Sequence, residues 1–227
     1  MYFDSTMILL IPAMILAFYA QNKVSSAYSR YSSVRNRSGI TGAEAARRIL
    51  DSNGLHQVPI EMTSGRLSDH YDPRKRVMRL SPEVYQRASL AAVSIAAHES
   101  GHAMQHAGHY APLVIRNTIA PVVSLVSNLA WPLAIIGLIL GTAQGMMLFD
   151  LGILFYAGAV FFQIITLPVE LNASKKAVSQ LSDLGIIFEE ERRGAKKMLS
   201  AAALTYIAAM AVAVANLLRL LALRGRD

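Results

Sequence analysis

Four stretches of this 227-residue chain are apolar enough to leave water, and they limit the fold more than any motif does. Ile119 to Leu140, Leu151 to Leu167 and Ala201 to Leu218 contain no Asp, Glu, Lys or Arg. Thr6 to Ala20 is equally free of charge and is interrupted only by Pro12. A helix needs about 20 apolar residues to cross roughly 30 Å of hydrocarbon, where every backbone group must be satisfied within the segment. Four membrane helices are therefore expected in a mainly α protein. The first stretch has neither a basic n-region nor a clear small-residue cleavage site, so it reads as an uncleaved anchor. A mean hydropathy of +0.35 fits this class and not an ordinary soluble domain.

The net charge of +7 follows the same division. Thirteen of the 22 Lys and Arg residues lie between Lys23 and Arg116, and six more between Lys175 and Lys197. Met1 to Ser5 and the expected loop Gly141 to Asp150 carry none. Cytoplasmic loops attract the excess of Lys and Arg, so both basic stretches are expected on the cytoplasmic side. Arg219, Arg224 and Arg226 then fall on the opposite side, which is unusual. Topology accounts for the basic balance and no nucleic-acid-binding motif is present, so a nucleic-acid partner is excluded. Cysteine is absent, which rules out thiolate metal sites and disulfides.

Between the apolar stretches the sequence has local order. Gln21 to Arg37 is polar and reads as a connector. Thr41-Gly42-Ala43-Glu44 has the form of a capping box opening a short helix that ends near Asn53-Gly54. Val58 to Ile60 and Arg66 to Tyr71 look extended, Asp72-Pro73-Arg74-Lys75 is a turn, and Arg76 to Ser81 alternates like a strand. A hairpin is thus expected before the helix announced by Ser81-Pro82-Glu83, an N-cap followed by proline at the first position. Gly108 is the expected stop. The expected division is 1–20 anchor, 21–118 soluble domain, 119–167 membrane hairpin, 168–200 soluble segment and 201–227 last membrane helix with tail.

That central helix carries His98-Glu99-Ser100-Gly101-His102, an H-E-x-x-H sequence. Residues four apart share a helix face, so both imidazoles can reach one divalent ion, while Glu99 can act as the base toward water. Ala96, Ala97, Gly101 and Ala103 have almost no side chain, so another element can approach closely. Catalytic zinc usually takes three protein ligands and leaves a fourth position open. A third histidine at H-E-x-x-H-x-x-G-x-x-H spacing is excluded, because that position is Gly108. His106 is one turn beyond His102 and strained as a third ligand to the same ion, leaving it as a supporting or substrate-contacting group. His109 and Tyr110, past the helix stop, could stabilise an oxyanion or be ordinary loop residues. Among the acids, Asp150 falls in the expected outer loop, while Asp183 and Glu189 to Glu191 read as solvated faces. Glu170 follows Leu167-Pro168-Val169 on the same expected side as His98. A carboxylate there needs a cation, supplied either by a metal or by Lys175 or Lys176.

The same residues carry a resemblance. His98-Glu99-x-Gly101-His102-Ala103-x-Gln105 is preceded by Asp69-His70-Tyr71-Asp72-Pro73 and Leu80-Ser81-Pro82-x-Val84-Tyr85. It is followed by Leu167-Pro168-Val169-Glu170-x-x-Ala173-Ser174. In this order the motifs resemble the bacterial YugP-type neutral zinc metallopeptidases over almost the whole chain. That family is more distantly similar to the HtpX heat-shock membrane proteases and the CAAX prenyl proteases. In those relatives a glutamate after two membrane segments is the third zinc ligand, which implies Glu170 here. They often carry an aspartate four residues later to orient a ligand histidine. This chain has Ser174 there, so support from Asn172 or Asp69 is expected, with His70 another nearby candidate.

The resemblance implies a zincin-like α+β domain and one Zn²⁺ held by His98, His102 and Glu170. The implied activity is a metalloendopeptidase of the bacterial cell (inner) membrane, with Glu99 as base and its site facing the cytoplasm. The expected partners are a peptide or protein substrate, membrane proteins among them, and the bilayer itself; an oligomer or a membrane partner stays open. The strand Arg76 to Ser81 is a candidate edge for an extended peptide. Two other readings remain: a metal-binding membrane scaffold without proteolysis, and a site-2-like intramembrane protease. Intact Glu99 argues against the first, and Arg87, His106 and His109 at the ends of the histidine helix argue against the second.

Overall fold

The computed structural model describes residues 5–225; Met1 to Asp4 and Arg226 to Asp227, including the tail arginine noted above, lie outside the described residues. A 3₁₀ segment, Ser5–Leu10, leads into α1 (Ile11–Ser32). There follow α2 (Gly42–Ser52), β1 (Ile60–Met62), β2 (His70–Asp72), β3 (Val77–Leu80), α3 (Pro82–Gln86) and α4 (Leu90–Ala107). Three long helices complete the chain: α5 (Ala111–Leu140), α6 (Ala143–Asp183) and α7 (Glu189–Arg224). The protein is thus mostly helical, with one small sheet. Among the described residues, Ser5–Ser32, α5, α6 and α7 are long and apolar enough to cross a membrane.

The chain divides into two compact units. Residues 5–20, 112–168 and 205–225 form the first, and 21–111 with 169–204 form the second. In the first, small residues let α5 and α6 pack at backbone distance. A Cβ on Gly137 would stand 2.6 Å from Gly145 O, and one on Gly152 would stand 2.8 Å from Ala130 O. Close backbone approach through glycine suits packing in a setting where hydrophobic exclusion gives no advantage to one helix face. Ala134, Phe149 and Leu220 are buried beside this crossing.

Several boundaries differ from expectation. The polar segment after Ala20 does not break the helix, and α1 continues to Ser32. The loop expected at Gly141 to Asp150 is confined to Gly141 and Thr142, and α6 already runs through Asp150. Asp150 pairs with Arg224 at 2.7 Å, so this end of the first unit carries an acid matched to one of the arginines on the unexpected side. Arg219 donates to Thr6 Oγ1 at 3.3 Å.

In the second unit, α2 begins as expected: Thr41 Oγ1 accepts from Glu44 N, and Glu44 Oε2 accepts from Thr41 N, closing the capping box. Hydrogen bonds from Thr41 hold the Glu44 carboxyl below its usual range. The hairpin is also present, with His70 opposite Arg79, Tyr71 opposite Met78 and Asp72 opposite Val77. Asp72 closes its turn by accepting from Arg74 N and Lys75 N. The sheet order β1-β3-β2 places the hairpin's second strand in the centre, paired in parallel with β1. Arg76 to Ser81 therefore cannot be the edge that accepts a peptide, because both its sides are already paired. The edges are β1 and β2.

The helix expected from Ser81 onward is two helices. Pro82 opens only the short α3, the chain extends at Arg87, and Ser89 caps α4 by accepting from Ala92 N at 3.2 Å. Hydrogen bonds from Asn36 N to Ala88 O and from Leu90 N to Val34 O hold the extended step open. Glu191, read as solvated, is buried and accepts from both Phe188 N and Arg37 N, tying the start of α7 to the segment before α2.

Candidate metal centre

α4 is the axis of the second unit, and its composition explains why. Ser94 and Ser100 are fully buried, but each returns its hydroxyl to the helix, to Leu90 O and Ala96 O at 2.7 and 2.8 Å. With no polar cost outstanding, the helix can be covered on several sides. One covering element is α6. A Cβ on Gly101 would lie 2.7 Å from Ala173 O and 3.1 Å from Ala173 Cα, so the two backbones touch. Gly101 sits between His98 and His102, and Ala173 sits between Glu170 and Ser174. One glycine contact thus sets the separation of both groups.

The result is a convergence of three side chains. Glu170 Oε2 lies 3.1 Å from His98 Nε2 and 3.4 Å from His102 Nε2. One ligand atom from each of the three lies within 4.8 Å of the others. The imidazoles meet edge to face, their centroids 4.8 Å apart. Glu170 is only 4% exposed, and neither Lys175 nor Lys176 pairs with it. A buried carboxylate with no Lys or Arg beside it lacks a permanent counter-charge, and a divalent cation would supply one.

Each histidine is also held from behind. His98 Nδ1 is 3.1 Å from Ser174 Oγ, and His102 Nδ1 is 3.0 Å from Gln105 Oε1. Both Nε2 atoms are therefore turned to the centre, as ligand histidines require. Gln105, 1% exposed, donates from Nε2 to Val169 O at 2.8 Å and to Asn172 Oδ1 at 2.9 Å. It thereby clamps α4 to the residues flanking Glu170. Two imidazoles and one carboxylate with these tethers fit a tetrahedral ion with one open position.

The remaining candidates are placed as follows. Glu99 is buried, and its Oε2 accepts from Tyr71 N at 3.0 Å. The edge strand β2 thus spends a backbone N–H on the glutamate next to His98. His106 does not join the three; its Nδ1 faces Tyr71 Oη at 2.9 Å. Burial raises the Tyr71 phenol, and burial together with the nearby Arg76 charge lowers His106, so a neutral phenol meets a neutral imidazole. Asn172 supports the centre one step out, through Gln105. Asp69 does not orient a histidine: it accepts from Ser81 N and Oγ, bracing the two ends of the hairpin. Burial pushes the Asp69 carboxyl up, the Ser81 bonds oppose this, and the Glu99 charge adds to the rise. His70 is exposed and bonds to Ser68 O, and exposed His109 closes the helix at φ +49°. Ser174, read from sequence as lacking the orienting role of the relatives' aspartate, takes that role itself through His98 Nδ1, whereas Gln105 and Tyr71 are contributors not singled out from sequence.

A family model described as "Putative neutral zinc metallopeptidase" matches residues 6–225. The chain belongs to this family. A curated relative, "Putative membrane protease YugP" of Bacillus subtilis (strain 168), is 51% identical over 221 residues, covering 96% of this chain and 97% of the relative. No solved structure matches the chain.

Family membership makes the tethers testable as parts of a zinc site. Gln105→Leu keeps the volume but frees His102 Nδ1 and leaves Val169 O without its partner. Zinc affinity should fall by about 10–100-fold, the usual effect of losing a group that orients a ligand. Competition against a zinc-binding dye measures this, and an unchanged Kd would remove Gln105 from the centre.

Proposed function

We propose that this protein is a membrane-bound zinc metalloendopeptidase in which His98, His102 and Glu170 hold one Zn²⁺ and Glu99 is the general base. The observation that carries this reading is the meeting of Glu170 Oε2 with both Nε2 atoms, at 3.1 and 3.4 Å, while each Nδ1 is tied elsewhere. Bound there, zinc supplies Lewis acidity, making water a nucleophile near neutral pH and polarising a peptide carbonyl.

The chain's own groups do the rest. Glu99 Oε2 is fixed by Tyr71 N–H, which leaves Oε1 to take a proton from the attacking water and deliver it to the departing amine. Tyr71 belongs to β2, an edge strand, so the strand that fixes the base also borders the site, and its outward N–H is already used by Glu99. Four candidate spans and the basic segments 23–116 and 175–197 favour a membrane protein with this centre on the cytoplasmic side, and the Bacillus subtilis relative favours a bacterial cell membrane. The helix carrying the histidines is not among the candidate spans, which weighs against a centre inside the bilayer.

Cleavage of an unfolded protein by the purified, detergent-solubilised chain is the test. Fragments should appear, vanish when a chelator strips the metal, and return with added Zn²⁺. A zinc-loaded protein that cleaves no unfolded protein or peptide would instead favour a metal-binding scaffold.

A further inference from the structure

Within the second unit, the C-terminal part of α6 and the N-terminal part of α7 enclose an open groove of about 1270 Å³. Its acids are engaged. Asp183 accepts from Ser179 at 2.8 Å, Glu189 pairs with Arg192 at 3.5 Å, and Glu190 pairs with Arg37 at 3.3 Å. Its other cations are not engaged: Lys175, Arg193 and Lys196 have no hydrogen-bond or ion-pair partner among the described residues. Arg193 and Lys196 are three residues apart on one face of α7, and Lys175 lines the groove from α6.

The unpaired cations also stand close to apolar stretches along the helices that carry them. On α6, Leu171, Ser174 and Lys175 follow the stretch that ends at Leu167; on α7, Lys196 and Arg193 precede the stretch that begins at Ala201. At 1.5 Å per residue, Lys175 stands about 12 Å along the helix from Leu167 and Lys196 about 8 Å from Ala201. The interfacial layer extends about 5–8 Å beyond the hydrocarbon on each side, so Lys196 stands at its outer edge, and the long side chain of Lys175 can reach back to it. Basic side chains placed just beyond apolar spans attract anionic headgroups.

We propose that this groove binds the headgroup of an anionic phospholipid. It meets the candidate metal centre only at Ser174, on the Nδ1 side of His98, so lipid binding can be read independently of zinc and of proteolysis.

Native mass spectrometry of the full chain, from micelles doped equally with phosphatidylglycerol and phosphatidylcholine, tests this. Phosphatidylglycerol adducts should exceed phosphatidylcholine adducts at least about tenfold, given the attraction each cation adds near anionic lipid. The triple variant Lys175→Ala, Arg193→Ala, Lys196→Ala should lose the preference, and Lys196→Gln alone should weaken it. A control lacking three exposed cations outside the groove, Arg48→Ala, Arg74→Ala, Lys197→Ala, should keep it. No preference in the unaltered protein, equal loss in the control, or displacement of the lipid by millimolar inorganic phosphate would each overturn the proposal.

Discussion

Gly101→Ala should damage the metal centre without altering any group that could bind zinc. The added methyl carbon would stand 2.7 Å from Ala173 O, closer than side-chain carbons come to backbone, so α4 and α6 must move apart. Two effects oppose each other. Alanine is favoured over glycine inside a helix by up to about 1 kcal/mol, whereas overpacking a buried contact costs about 1–3 kcal/mol. The contact wins, because neither neighbour is the flexible end of a side chain. Glu170 and Ser174 flank Ala173, so their reach to the histidines lengthens together. Zinc affinity should fall at least about tenfold, as it does when ligand orientation is lost, with no gain in melting temperature. Unchanged affinity in a more stable protein would mean that the helix pair is not what positions Glu170.

Glu99→Gln should separate binding from chemistry. The amide oxygen of glutamine can still accept from Tyr71 N, so β2 stays docked on α4 and the ligand set is untouched. What disappears is a group able to take a proton from water. Turnover of an unfolded substrate should drop by about 10²–10⁴-fold, the usual contribution of a general base, at unchanged zinc content. Activity within tenfold of the unaltered protein, at equal metal loading, would assign the base elsewhere.

The parts of this protein that were legible in its sequence are those fixed by neighbours along the chain. The capping box at Thr41 and Glu44, the turn at Asp72 and the stop at Gly108 are local hydrogen-bond chemistry, and each forms where its residues stand. The apolar stretches were legible for the same reason. What escaped depends on distant partners. Ser81 and Ser89 are equally good caps by residue type, and the bonds from Leu90 N to Val34 O and from Asn36 N to Ala88 O decide that α4 starts at Leu90. β3 alternates like an edge strand, yet the parallel addition of β1 makes it central. Arg224 was unusual alone and makes sense paired with Asp150, which was expected in a loop and lies within α6.

The site follows the same rule. His98, Glu99 and His102 share one helix and could be read directly, and Glu170 stood out as a carboxylate at the end of an apolar run. The tethers are misread or missed from sequence: Ser174 occupies the position of an orienting aspartate but is passed over because a hydroxyl replaces the carboxylate, and the bonds of Gln105 to Val169 and Asn172 form only once Gly101 brings α6 against α4.

The most direct test is the zinc content of three purified proteins measured by elemental analysis: the unaltered chain, Glu170→Ala and His106→Ala. One zinc per chain is expected in the first and third, since His106 is occupied by Tyr71, and almost none in Glu170→Ala. A full complement in a folded Glu170→Ala protein, or its loss in His106→Ala, would contradict a centre built from His98, His102 and Glu170.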